Sequence, residues 1–571
     1  MLPNWYEILL YILLGAGIQL IGSVVEKINK KVGTTIEIIL ALLAIGFVFY
    51  QLPFMDGFIY IAFISSGYFL AISLTTGNEK RIEIEKELRK VKVEKVSLER
   101  DLKRIASDLL ITGFVVIGAI LFYIFGPEYS PLKYIVVLGF ISTFTEVIKR
   151  IGTFITVAVF YDNEEKQIYL TSYFESRKLP IEDLEEVKLE TNVDLLKLHP
   201  LLTMFSSNAD FTTSFQKVLM LSVPGETVYL TIHKPEKWKK VFEELMKVEA
   251  KEMELQQVLP VWHRKNIKRL IGKLYFASTV KGVSAYTGLL LLLYYFKVQP
   301  WIMVTVALAY WGFNLYISDR VLKVAMDAKE TKNPQLIQIS QRIFERAGAP
   351  NIRVYETDSS EYNGLATGLN IGKSMVTLTS ATLKLPTEAI EGILAHEAIH
   401  VKKRDVLWGQ LCRLGYLLIL IVIVILLQKN ITNIEEHKIS IFLLVFFLTI
   451  FYSVFQSFCS QWMEVRADHL GASLLGGGSK QMSNSLIALS EKQDEAINKS
   501  LSYSTVLKDK DEKTKSSIER DSLLWRFIEF QFMLHPPMYW RVQTLKENEE
   551  GWGKRIRNRW IVDRVKESVL S

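Results

Sequence analysis

The run VLWGQLCRLGYLLILIVIVILLQ, residues 406–428, holds a single charged side chain, Arg413. An apolar stretch of about 18 residues or more reads as a membrane span, because a helix of that length matches the hydrocarbon thickness. Comparable runs lie at about 7–25, 35–54, 57–76, 109–127, 131–149, 282–297, 300–318 and 439–458, so nine spans are expected. The fifth carries Lys133 and Glu146; the short sixth joins the seventh through the tight turn KVQP. These runs explain a mean hydropathy of +0.19, too apolar for an ordinary soluble protein of 571 residues. The first run follows MLPNWYE, lacks a basic leader and reads as a retained span rather than a cleaved signal peptide.

Orientation follows from the loops. Lys27, Lys30 and Lys31, ten Lys/Arg within 77–108, Lys149-Arg150 and the segment WHRKNIKRLIGK all fall on one side of a nine-span chain. The opposite loops, QLPFMDG, FGPEYSP and QKNITNIEEHK, are poor in positive charge. Basic loops face the cytoplasm, so the C-terminal half is expected there. The net charge of +7 is accounted for in this way. No RNA-binding motif or zinc finger is present, and no nucleic-acid partner is expected. Cys412 and Cys459 are far apart and form no CxxC pattern.

Between the spans lie soluble segments. In 77–108, Ile84, Leu88, Val91, Lys95, Leu98, Leu102 and Ile105 repeat at alternating spacings of four and three. That pattern predicts a helical arm, either a coiled coil that pairs two copies or a hairpin packed on its own chain. Residues 152–255 read as a β-rich insert: TFITVAVFYD, KQIYLTSYF, VKLETNV, FQKVLMLSV and TVYLTIH are rich in β-branched and aromatic residues. PGE, Pro224 to Glu226, reads as a hairpin turn, and KPEKWKKVFEELMKVEAKEMELQQ as a closing amphipathic helix. Such a meander resembles a small pleckstrin-homology-like barrel, suited to lipid, to protein, or to a structural role. Further on, a helix at about 333–348, strands IRVYET and MVTLTSATL, and a helix starting near Pro386-Thr387 are expected. The segment 476–521, glycine-rich and then highly charged, reads as a loop.

The chemistry centres on GILAHEAIHVKKRD. Positions i and i+4 share a helix face, so His396 and His400 can place two imidazoles on one Zn²⁺. Glu397, one step around, can take a proton from an attacking water. A catalytic zinc needs a third protein ligand and leaves the fourth position for water. VKKRDVLW supplies no further histidine. After the next two apolar runs comes QWMEVRADHLGA, where Glu464 and Asp468 are again i, i+4. Glu464 can be the carboxylate ligand, and Asp468 can fix the tautomer of a ligand histidine. His469 competes as a ligand but lies one residue off that face.

His-Glu-x-x-His, two spans, then Glu-x-x-Ala-Asp resembles the HtpX-type and CAAX-prenyl-protease-type integral-membrane zinc metallopeptidases, gluzincins with a glutamate as third ligand. Three further stretches agree: NGLATG (Asn363 to Gly368), VTLTSATL, and HPPMYWR (His535 to Arg541). The resemblance covers about 260–548 and leaves the N-terminal part outside it. It implies His396, His400 and Glu464 as ligands of one zinc per chain and Glu397 as general base. It also implies that His535 and Arg541 approach the reacting carbonyl. Asn363, Gly364, Leu365, Ala366 and Thr367 would then pair with an extended substrate by strand addition. Gly364 and Leu365 depart from the family's Ala-Phe. Asp405 also fits the pattern and reads as structural.

The fold class expected is therefore an α-helical integral membrane protein with a cytoplasmic α+β zincin-type metalloprotease domain and a small β-rich, PH-like insert. The divisions expected are 1–151 for the N-terminal membrane region, 152–255 for the insert, 256–320 for a membrane hairpin, and 321–571 for the protease domain interrupted by spans at 406–458. The function expected is zinc-dependent cleavage of membrane proteins, in quality control. Processing of lipidated substrates and an inactive scaffold or sensor stay open. A transporter is disfavoured, because the spans hold few ionisable residues.

Overall fold

The computed structural model describes residues 4–125, 146–190, 198–199, 208–246, 298–325, 328–367, 374–430, 437–504, 515–547 and 551–570, with five helical residues between 264 and 272. The chain divides into two units. One comprises Met1–Lys268, Leu291–Val298 and Ile497–Glu512; the other comprises Arg269–Leu290, Gln299–Ala496 and Lys513–Ser571.

The first unit opens with α1 (Trp5–Glu26), α2 (Lys30–Gln51) and α3 (Phe54–Leu88). Asn29 caps α2 by accepting from the Val32 amide. α1 and α3 cross where both are glycine. A Cβ on Gly15 would sit 1.9 Å from the Ile64 carbonyl oxygen, and one on Gly67 would sit 1.9 Å from that of Ile12. Only backbone against backbone fits there, the way apolar helices associate when water supplies no driving force. Together with α4 (Leu102–Phe125), these are four helices long and apolar enough to cross a membrane among the described residues. The fifth expected span lies mostly, and the sixth wholly, outside the described residues.

The 77–108 arm is not one helix. α3 ends at Leu88, β1 (Val93–Val96) follows, and α4 begins at Leu102. The heptad spacing bridges a strand: Val96 is buried in the barrel core, and β1 pairs antiparallel with β2 (Ala158–Asp162). The β-rich body thus recruits a strand from well before 152, while 153–156 is still helical. One sheet runs β1-β2-β3-β4, with β3 at Gln167–Thr171 and β4 at Arg177–Pro180. A second runs β5-β7-β8-β6, from β5 (Glu186–Glu190), β6 (Asn208–Phe211), β7 (Val218–Val223) and β8 (Glu226–Leu230). Gly225, at φ 78°, makes the expected turn between β7 and β8. Leu170, Phe211, Leu219, Leu221 and Val228 fill the space between the sheets. α5 (Pro235–Leu245) closes it by setting Trp238 and Phe242 edge-on against Tyr161, with centroids 5.5 and 5.9 Å away. Where α4 meets the barrel, Arg104, Asp108, Arg150 and Asp210 form a buried ion cluster.

The second unit starts with α6 (Pro300–Ala325), whose apolar stretch is Trp301–Asn314. After β9 (Lys329–Glu330), Asn333 caps α7 (Pro334–Ala347), with Pro334 at its first position and Gly348, at φ 72°, ending it. A four-stranded sheet follows in the order β11-β12-β10-β9, with β10 at Arg353–Thr357, β11 at Gly364–Thr367 and β12 at Met375–Thr379. β12 runs parallel to β10 and antiparallel to β11, which leaves β11 at the sheet edge.

α8 (Thr387–Lys403) carries the two histidines, and Leu394, Ala395 and Ala398 are fully buried in the core beside them. Arg404 breaks the helix in the left-handed region, at φ 55°, before α9 (Asp405–Asn430). α10 (Lys438–Ala472) then runs unbroken from the apolar stretch into the segment bearing Glu464 and Asp468.

Residues 478–504 are not a loop but α11 (Gly478–Ser504). Its serines and asparagine mask an apolar stripe, Met482 and Leu486, that packs in the same core as α8. Gly392 of α8 allows this approach, since a Cβ there would fall 2.2 Å from Ser485 Oγ. α12 (Leu523–Phe532), α13 (Met538–Glu547) and α14 (Lys554–Val569) complete the unit.

Candidate active site

α8 and α10 pack closely because Gly471 lies where a Cβ would come 3.2 Å from the Ala395 backbone. This contact brings His396 and His400 opposite Glu464. Their ligand atoms lie within 4.8 Å of one another. The His400 and His396 Nε2 atoms are 2.9 Å apart, and Glu464 carboxylate oxygens lie 3.3 Å from His396 Nε2 and 3.4 Å from His400 Nε2. Ligands held about 2.0–2.1 Å from a tetrahedral ion sit roughly 3.3 Å from each other, so this triangle has the size of a shared coordination site.

The outer nitrogen of each imidazole is engaged. His396 Nδ1 donates to Asp468 Oδ1 at 2.8 Å, and His400 Nδ1 donates to Asp405 Oδ2 at 2.8 Å. An ionised carboxylate only accepts, so the Nδ1 atoms carry protons, which leaves the Nε2 atoms, turned toward Glu464, as the ones a metal would take. Each orienting carboxylate is itself held. Arg541 donates to Asp468 from Nε and Nη2, at 2.7 Å each, and Arg466 bonds Asp405.

Charge counting tests the fit to a metal. The buried cluster holds Glu397, Asp405, Glu464 and Asp468 against Arg466 and Arg541. With neutral imidazoles, two negative charges are uncompensated, the amount a divalent cation offsets. The protonation equilibria carry the same imbalance. Burial alone would lower both histidine pKa values, yet the surrounding carboxylates raise His396, and raise His400 well above its ordinary value. Burial would raise Glu464, but His535 and His400 hold it well below the usual carboxylate range. Glu464 Oε2 is buried without a hydrogen-bond donor in good geometry, although His535 Nδ1 lies 2.9 Å away. A buried ligand oxygen left open in this way suits a cation.

Glu397 is buried beside the cluster and faces β11, where a Cβ on Gly364 would lie 3.5 Å from Glu397 Oε1. Asn363 anchors the strand: its amide donates to Thr382 Oγ1 at 2.7 Å, and its carbonyl accepts from Thr382 Oγ1 at 2.9 Å. Gly364, Leu365, Ala366 and Thr367 pair with Leu378, Thr377, Val376 and Met375, so the other edge of β11 is not paired within the sheet.

Arg541 is buried, donates twice to Asp468, and has its Nη2 3.7 Å from Glu464 Oε2. His535 has a side chain 66% exposed and is the member of the cluster open to the cleft. Asp405, expected to be merely structural, orients His400 as Asp468 orients His396. The signal was a carboxylate five residues beyond His400, but the left-handed turn at Arg404 that aims it has no glycine to announce it. His469 is buried outside the ligand cluster, and burial lowers its pKa.

A glutamate flanked by two histidines on one helix, with a second acid from another helix and an edge strand alongside, is a set of groups that could hold a metal ion. Residues 330–549 match Peptidase family M48, and residues 158–246 match a bacterial PH domain. Similar relatives are each described as a protease HtpX homolog. That of Pelotomaculum thermopropionicum is 40% identical over 101 residues, 17% of this chain and 36% of the relative. That of Ralstonia pickettii is 37% identical over 99 residues, 17% of this chain and 35% of the relative. That of Methanocaldococcus jannaschii is 32% identical over 114 residues, 19% of this chain and 40% of the relative. The chain thus spans well under half the length of these relatives. The C-terminal part of the chain is thus similar to HtpX-like M48 peptidases, and it is accompanied by a PH-like domain and by apolar helices long enough to span a membrane.

Proposed function

We propose that the chain is a membrane-integral zinc endopeptidase that cleaves membrane or membrane-associated proteins at the cytoplasmic face, in protein quality control. The observation that carries this reading is the convergence of His396, His400 and Glu464 beside Glu397 and beneath an edge strand. Zinc at that triangle would polarise a peptide carbonyl and lower the pKa of water.

The chain's own residues do the rest. β11 accepts an extended substrate along its unpaired edge, through backbone hydrogen bonds at Gly364–Thr367. Gly364 leaves room for the scissile peptide next to Glu397. Glu397 takes the proton of the attacking water and passes it to the leaving amine. His535, exposed at the rim, donates to the oxyanion that develops on the carbonyl. Asp468 with Arg541, and Asp405 with Arg466, keep the two imidazoles in the tautomer that binds metal. The basic loops support a cytoplasmic position for this site, with α9 and α10 inserted as a membrane hairpin between the second and third ligands.

The test uses full-length protein in membranes. Glu397→Gln should retain stoichiometric zinc by elemental analysis and lose cleavage, with uncleaved membrane proteins accumulating in the proteome. Cleavage by that variant would sink the assignment.

A further inference from the structure

α12 and α14 leave apolar side chains in the open. On α14, Ile561, Val562, Val565 and Val569 are exposed, and on α12 so are Leu524 and Trp525. At 100° per residue the α14 residues form one stripe over the last turns of the helix, preceded on the same face by the exposed Lys554 and Asn558 and bordered by the exposed cations Arg557 on one side and Arg555 and Lys566 on the other. The opposite face is fixed: Ile556 and Trp560 are in the core, and Arg564 is buried. Exposed apolar side chains flanked by cations are a combination that suits the headgroup boundary of a bilayer.

The place where the pair is anchored identifies what covers the stripe. Trp560 stacks on Phe458 of α10, with centroids 4.9 Å apart. Arg564 donates to the Val454 carbonyl at 3.3 Å and to Gln461 Oε1 at 2.7 Å. Ser457 donates to the Met533 carbonyl just beyond α12, at 2.7 Å, and Gln461 donates to the Glu529 carbonyl at 2.8 Å. These contacts pin both helices to residues 454–461 of α10, where the apolar run gives way to the polar segment bearing Glu464. Their exposed side chains therefore lie level with the end of a membrane helix. Phe447 and Phe451, further back on that helix, are exposed too.

We propose that α12 and α14 form a second membrane-contact surface, seated in the headgroup and upper acyl region of an anionic bilayer. This surface sets the height of the catalytic cleft, because His535 follows α12 by only three residues. The inference rests on α9 and α10 lying in the bilayer, as proposed above.

The test is lipid quenching in nanodiscs holding one full-length chain, with both native cysteines replaced by alanine. A fluorophore is placed by Val565→Cys, by Phe451→Cys as the spanning reference, or by Lys492→Cys as the aqueous reference. Brominated phosphatidylcholine with phosphatidylglycerol should quench the label at 565 at least about twofold more than the label at 492, approaching the label at 451. If 565 behaves like 492 while 451 is quenched, the inference is overturned and the hairpin stands. If 451 is unquenched, the hairpin reading falls and this inference with it. A blue shift at 565 that appears only in discs holding two copies would mean that a second chain covers the stripe, and would overturn it. Equal quenching at 565 without phosphatidylglycerol would overturn the anionic preference.

Discussion

Two buried charged clusters sit in this chain, one in each unit, and they are built to opposite rules. In the first unit, Arg104 and Arg150 meet Asp108 and Asp210, with Arg104 Nη2 at 3.0 Å and Arg150 Nε at 3.2 Å from Asp210 Oδ2. Thr212 donates its amide to Asp210 at 2.8 Å and accepts from Arg150 on its carbonyl at 2.7 Å. Two cations cancel two anions. In the second unit, four carboxylates face two guanidiniums, and the imidazole nitrogens of His396 and His400 converge on Glu464 instead of on a proton donor. Buried charge is tolerated when it is paired. A cluster that closes on itself holds helix to barrel; one left open, with more carboxylates than guanidiniums, could hold a metal ion.

The largest effect that would break this contrast is at the base. Glu397→Gln removes a carboxylate but keeps its shape, and kcat should fall about 10²- to 10⁴-fold, with metal content unchanged. Next comes the closed cluster. Arg104→Met leaves Arg150 alone against Asp108 and Asp210, one buried negative charge uncompensated, and should cost about 3–5 kcal/mol of stability without altering metal content. Replacing all four charged residues by apolar ones of similar size should cost much less, because no charge is then left unpaired. A denaturation series on the single and quadruple variants checks both. The same logic fails at the open cluster, where Asp405→Asn should weaken metal binding about 10- to 100-fold while the fold persists. Competition with a chelator measures this, and equal loss from Asp468→Asn would show that the two histidines are held alike.

The two clusters also differ in how far the sequence reveals them. His396, His400 and Glu397 declare themselves by helical spacing, and Glu464 by its own i, i+4 pair with Asp468. The closed cluster gave little sign, because only Arg104 and Asp108 share a helix, at i, i+4, and they meet Arg150 and Asp210 from two other stretches only once the barrel has formed. The apolar stretches of α1 to α4 were legible from their length and scarcity of charge. The reading of 77–108 failed because Ile84 and Ile105 really are buried at heptad distance, but on different helices with β1 between them. α11 was hidden by its glycine-rich start and its serines, which serve close packing there: Ser483 and Ser485 are buried against neighbouring elements. The orienting role of Asp405 was out of reach, since it depends on one backbone angle at Arg404.

The smallest predicted effect separates charge from space within the open cluster. Gly364→Ala adds a methyl that would lie 2.8 Å from Ile393 Cγ2 and 3.5 Å from Glu397 Oε1, and it touches no ligand. Ile393 meets it with the methyl on its branched Cβ, which is stiff in a helix, so the strand itself must shift slightly, at a cost of about 1–3 kcal/mol. The family to which this segment is similar carries alanine there, in keeping with that cost being tolerable. Metal affinity should be unchanged, and kcat/KM should fall several-fold through a raised KM, because the methyl occupies space beside Glu397 that a substrate backbone would use. If the variant lost metal instead, β11 would be part of what holds the ligands, and the open cluster would be less separable from its surroundings than the closed one.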